Sequence, residues 1–151
     1  MEVRFAPGRQ TPDAAVDGSN RLRVYVVATT GEGTQCALLA AQRLAAGLDA
    51  RIIILVPHVV SYVVPLESPN EDPTVLIDEY RALAARAGVD ASVRLCLCRR
   101  PIDVFKTLLS ERSTIVLGGH RGRWWPSAAQ RMAHELRREG YDVVFVEVER
   151  S

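Results

Sequence analysis

The sequence predicts an α/β fold: a three-layer αβα sandwich around a five-stranded parallel sheet, in the strand order 3-2-1-4-5. Three observations carry this. Short apolar, β-branched runs alternate with helical segments in the pattern βαβαβαβαβ from residue 21 to the C-terminus. Such alternation yields a parallel sheet covered by helices on both sides, and right-handed crossovers restrict its topology. The central runs, above all Arg51–Val56 (Arg-Ile-Ile-Ile-Leu-Val), are apolar throughout rather than alternating, as strands buried on both faces are. Glycines and prolines punctuate the segments where helices stop and start.

The elements follow in order. Residues 1–20 carry Pro7, Gly8, Pro12 and Gly18 with no sustained periodicity, and read as a flexible arm ahead of a single domain at 21–151. Arg23–Ala28 is the first strand, and Thr29-Thr30-Gly31-Glu32-Gly33-Thr34 the turn after it. A helix is expected from Thr34 to Ala46, with Leu38, Ala41, Leu44 and Ala45 as its apolar stripe and Gly47 as its stop. The second strand, Arg51–Val56, is expected to end at Pro57. A long connection, His58–Pro73, follows, apolar at first and then acidic and proline-rich; loops of that length are often functional.

The second helix spans Thr74–Ala87 before Gly88, and the third strand Ala91–Cys98. Pro101 opens a helix that reaches Ser110. Thr114–Leu117 is a short buried strand that runs into Gly118-Gly119-His120-Arg121-Gly122-Arg123, a glycine-rich basic loop. Ser127 and Gln130 fit a capping box for the last helix, which stops at Gly140. Tyr141–Val148 is the fifth strand.

Composition bounds the function. The chain has 151 residues, 48% hydrophobic and 25% charged, enough for one domain with a full core. A net charge of +1 points to neither nucleic acid nor a membrane surface as partner. No apolar run approaches the ~18 residues of a membrane span. Cys36, Cys96 and Cys98 are an odd number of cysteines with no secretory signal, which places the protein in a reducing cytoplasm. Cys96 and Cys98 lie two apart in a strand, on one face; their spacing is poor for zinc, and they read as small buried hydrophobes.

The strand order reverses between the first and fourth strands. The crevice at that reversal, where open α/β sheets bind ligands, is formed by Thr29–Thr34 and Gly118–Arg123. Backbone N–H groups of Gly119–Gly122, the N-terminus of the Ser127 helix, and Arg121 and Arg123 would offer donors to an anion. The competing use of these glycines is a tight strand-to-helix turn that needs positive φ. His120 reads as a phosphate contact or an exposed loop histidine, and His134 as solvent-facing. Of Trp124 and Trp125, one ring is expected to seal the core above the last helix while the other lies on the surface. Stacking on a base and a partner-binding patch are the other uses of the pair. No carboxylate pair, Ser-His-Asp arrangement or metal cluster stands out, so a non-catalytic role is expected.

These features resemble the universal stress protein family, and in particular the stress-protein-like domain of sensor histidine kinases. The resemblance covers Arg21 to Glu149. It rests on Val56-Pro57-His58-Val59-Val60 after the second strand, on Ile115-Val-Leu-Gly-Gly-His-Arg-Gly122, and on the terminal strand Tyr141–Val148. It implies an adenine-nucleotide site for ATP with Mg at Thr29, Thr30, Gly31, Pro57, His58, Val59 and Gly118–Arg123. It also implies a homodimer through the fifth strand, Val143–Val148. ATP-binding members carry G-x2-G-x9-G-[S/T] after the fourth strand. Here Gly119–Gly122 supplies the first half, and Met132 stands where the next glycine belongs. The family's Asp after the first strand falls at Thr29 or Thr30. The resemblance therefore implies a site with two departures, and a nucleotide-free dimerisation or partner-binding module is its alternative. The Thr-rich turn at 29–34 also resembles the phosphate loop of flavodoxins, which implies an FMN-binding redox protein as a third reading.

Overall fold

The computed structural model describes residues 4–5, 22–59, 73–109 and 113–149. Ten elements are present in it: β1 (Arg4–Phe5), β2 (Arg23–Val27), α1 (Gly31–Leu48), β3 (Arg51–Val59), α2 (Pro73–Ala87), β4 (Ala91–Cys98), α3 (Pro101–Leu108), β5 (Thr114–Gly119), α4 (Ala128–Arg138) and β6 (Asp142–Glu147). The sheet order is β1-β4-β3-β2-β5-β6. The five strands from β2 to β6 are parallel and stand in the expected order 3-2-1-4-5.

β1 was not expected. Arg4 and Phe5, within the segment read as a flexible arm, pair antiparallel with Leu97 and Cys96 and cover the β4 edge. Two paired residues leave no periodicity in sequence, and an edge strand is one way to satisfy the open donors of a sheet margin. The other residues of 1–20 lie outside the described residues, as do residues 60–72 of the long connection.

Both faces of the sheet are buried, which is why its strands do not alternate. On one face Val24, Val26, Ile52, Ile54, Val93 and Leu95 pack under α1 and α2. On the other, Tyr25, Val27, Ile53, Leu55, Ile115 and Leu117 pack under α3 and α4 with Phe105 and Leu136. Cys96 and Cys98 join this second core as buried free thiols.

Three elements extend by more than one residue beyond the bounds the sequence predicts, α1 at both ends and β3 and β5 at their C-terminal ends. α1 begins at Gly31, because Thr30 already caps it, and passes through Gly47 to Leu48. The left-handed cap is Asp49 at φ 50°, whose N–H donates to the Ala45 carbonyl. A short polar side chain tolerates that conformation. β3 continues through Pro57 to Val59. The Leu55 carbonyl accepts from Ala28 N at 2.9 Å and so faces β2. Pro57, two residues on, turns its missing N–H the same way, beyond Val27↔Leu55, the last β2 pair. Its other side still aligns with Cys96 of β4, so no ladder bond is lost. β5 likewise runs past Leu117 to include Gly118 and Gly119, which pair with Val146 and Glu147.

Candidate functional site

β2 and β5 are neighbours from which the chain departs in opposite directions across the sheet, and both end at the same edge. At the end of β2 three threonine hydroxyls organise the turn. Thr29 N donates to Thr34 Oγ1 at 3.0 Å, and Gly33 N donates to Thr30 Oγ1 at 3.0 Å, the N-cap bond of α1. Short hydroxyls suit a helix start, where backbone donors lack helical partners. Thr29 Oγ1 then reaches across to donate to the Gly118 carbonyl at 2.6 Å. The α1 start and the β5 end touch back to back: a Cβ built on Gly33 would collide with the Gly118 carbonyl, and one on Gly118 with the Gly33 carbonyl.

At the end of β5, Gly119 lies against Ala129 with no room for a side chain. Its carbonyl accepts from Val148 N at 2.9 Å. The chain then makes a closed loop to α4. Gln130 Oε1 accepts from both Gly122 N and Ser127 N, each at 2.8 Å, and Ser127 Oγ accepts from Gln130 N at 3.2 Å. The last two bonds are the expected capping box. The bond to Gly122 is additional and draws the two ends of the loop together. A Cβ on Gly122 would collide with the Trp125 carbonyl. Positive φ is therefore not what these glycines supply: among the described residues, the glycines with positive φ are Gly88 and Gly140. Gly118, Gly119 and Gly122 instead allow close approach of backbone to backbone or to Ala129.

The polar and charged side chains of the loop each face a neighbour. His120 Nε2 lies 3.5 Å from Glu32 Oε2, in the first turn of α1. His120 Nδ1 is buried with no hydrogen-bond partner among the described residues. Arg121 Nε lies 3.7 Å from Glu147 Oε2. The Arg123 guanidinium stands 6.0 Å from the centroid of the Trp124 ring. Trp124 and Trp125 are 82% and 81% exposed, so neither ring seals the core. The core on this face is already filled by Phe105, Leu117 and Leu136, and the cinched loop holds both rings outside it. His134 is exposed, as expected.

Between these two turns lies a cleft of about 290 Å³. Ala28, Thr29 and Thr30 form one wall, Gly119 and His120 the second, and Ser127, Ala128, Ala129 and Met132 of α4 the third. Of the residues expected at the site, the structure brings Thr29, Thr30, Gly119 and His120 together here. Gly31 opens α1 at its rim, and Gly118 sits behind it against Gly33. Arg121, Gly122 and Arg123 belong to the loop beyond it. Pro57, His58 and Val59 end β3, one strand away, and do not line this cleft. Sequence reasoning missed Gln130 as the clasp of the loop, seeing only its capping role, and Ala128 and Ala129 as lining. Nothing in a lone Gln signals a bond to a residue eight positions upstream.

The thiols stand apart from this chemistry. Burial foremost, then the neighbouring Cys98, pushes Cys96 up to about 12, against a lowering by Arg94. Burial and then Asp103 push Cys98 up to about 11. Among the described residues no group of three or more His, Cys, Asp or Glu side chains is placed to hold a metal ion.

No protein-family model matches the chain, and no curated protein matches it in sequence at a significant level. Among solved structures it is similar to a universal stress protein in complex with cAMP, at 19% identity and a TM-score of 0.55, with 87% of this chain and 100% of that one covered. It is also similar to the universal stress protein from Archaeoglobus fulgidus, at 8% identity and a TM-score of 0.51, over 87% of this chain and 100% of that one. The fold is that of the universal stress proteins. In the stress-protein fold of this chain, the cleft sits where the strand order reverses, the position at which open α/β sheets bind ligands. None of its helices among the described residues is long and apolar enough to cross a membrane.

Proposed function

We propose that this chain is a non-catalytic stress-response module of the cytoplasm whose β2/β5 crevice binds an adenine-bearing ligand. The observation that carries this is the cleft itself, a cavity at the strand-order reversal walled by two strand ends and the first turns of α4. The cAMP complex of a protein with the same fold supports adenine as the class of ligand. ATP with Mg is the reference nucleotide, the Mg being carried chiefly by the phosphates, as is usual for nucleotide-bound Mg. Of the threonine hydroxyls that resemble a flavodoxin phosphate loop, Thr30 and Thr34 accept from backbone N–H groups of the turn and Thr29 donates across to the Gly118 carbonyl, so each is already engaged, which weighs against FMN.

The test is thermal unfolding with millimolar ATP–Mg, AMP, cAMP and adenosine, scanned against GTP and FMN. A ligand that binds only the native state raises stability by about 2.7 kcal/mol at a hundredfold excess over Kd. For a domain of this size that moves Tm by several degrees. A shift with the adenine ligands alone is expected. No shift with any of them would overturn the reading.

A second reading concerns assembly. β6 is the open margin of the sheet, and Val143, Val144, Phe145 and Val146 on it are only half-buried. An apolar edge of this kind favours pairing with a second copy. We propose a homodimer through Val143–Val148. Sedimentation at micromolar concentration should give about twice the 16.7 kDa chain mass, and Val146→Lys should return the monomer. A monomeric wild type would exclude it.

A further inference from the structure

We propose that Gln130 occupies the loop's anion site, so that the crevice takes an uncharged adenine nucleoside in preference to its phosphates. This deepens the adenine reading of the crevice and rests on it. Ser127 N, in the crevice wall, and Gly122 N, in the loop just beyond it, converge on one oxygen, each at 2.8 Å, at the N-terminus of α4. Two backbone donors and a helix N-terminus aimed at one point are what a phosphate oxygen needs. The oxygen already there is Gln130 Oε1, carried on the same helix and held by the capping box. A phosphate must displace it and would gain only the difference between the two sets of bonds.

The side chains around the loop repeat the pattern. His120, in the crevice wall, faces Glu32 at 3.5 Å, and Arg121, in the loop beyond, faces Glu147 at 3.7 Å, so each has a carboxylate beside it. Glu32 also sits in the first turn of α1, where its charge offsets the second helix terminus that points at the cleft. An incoming phosphate would meet that carboxylate as a like charge. The cleft offers its ligand chiefly Ala28, Ala128, Ala129 and Met132, which are apolar surfaces.

The experiment is calorimetric titration of adenosine, AMP and ATP–Mg into the wild type, Gln130→Ala and Gln130→Glu. The wild type should bind adenosine more tightly than AMP or ATP. Gln130→Ala frees two donors, and AMP and ATP should gain about tenfold or more relative to adenosine. Gln130→Glu keeps an acceptor in place and adds charge, so adenosine should stay within about twofold while the phosphates weaken further. Gln130→Glu also guards against the Ala variant failing to fold. AMP or ATP binding the wild type as tightly as adenosine would overturn the exclusion while leaving the adenine site standing. No adenosine, AMP or ATP binding to any variant would overturn the adenine reading, and the exclusion with it.

Discussion

Thr29 Oγ1 donates to the Gly118 carbonyl at 2.6 Å, a bond between residues 89 positions apart that ties the end of β2 to the end of β5. Directly beside it Gly33 and Gly118 meet backbone to backbone. The crevice keeps its width because these two strand ends are fastened together.

That contact predicts a steep cost for filling either glycine. In Gly118→Ala the new methyl meets the Gly33 carbonyl, which is helix backbone and cannot swing aside. Overpacking of this kind costs about 1–3 kcal/mol, occasionally more. Thr29→Val removes the donor and leaves the carbonyl unpaired, for about 1–3 kcal/mol, whereas Thr29→Ser keeps it. Urea unfolding of the three variants measures this; a Gly118→Ala protein as stable as wild type would show that the two backbones are not in contact.

The buried thiols predict a stability loss at high pH. Unfolded, each thiol releases its proton near the ordinary 9.0; folded, Cys98 holds it to about 11 and Cys96 to about 12. Between those values the folded state binds more protons, so stability falls as pH rises from about 9 through 11 and 12. Denaturant midpoints at pH 8 and 10.5, compared with those of Cys96→Ala/Cys98→Ala, isolate the effect. At pH 8 Cys96 and Cys98 should stay unreactive toward a thiol reagent until the protein unfolds.

The tryptophans predict a clean optical signal. Trp124 and Trp125 are the chain's 2 tryptophans, so its indole emission reports the loop between β5 and α4. Both are more than four-fifths exposed, so the emission should be that of indole in water and open to quenching by iodide in the native state. Replacing both with Ala should change stability by less than about 0.5 kcal/mol. Emission shifted to the blue in the native monomer would mean that at least one ring is buried.

Sequence alone determined the layers. Apolar, non-alternating strands separated by capped helices demand a parallel sheet covered on both sides, and crossover handedness then leaves few orders. Even Ser127 and Gln130 as a capping box were legible, because capping is local: donor and acceptor are three residues apart. The resemblance to the stress proteins was legible in Val56–Val60 and Ile115–Gly122, and the fold bears it out. Tertiary structure alone decided what those glycines are for. Gly118 is small because Gly33 is its neighbour, and Gly122 because the Trp125 carbonyl turns back on it. Likewise β1 exists only because β4 offers an edge, and Pro57 stays in its strand because β2 has already ended there. Gln130 had to be seen in place before its second bond, to Gly122, changed the meaning of the loop. Periodicity and caps are written in spacings of a few residues; a closed crevice is set by contacts between segments that the sequence holds far apart.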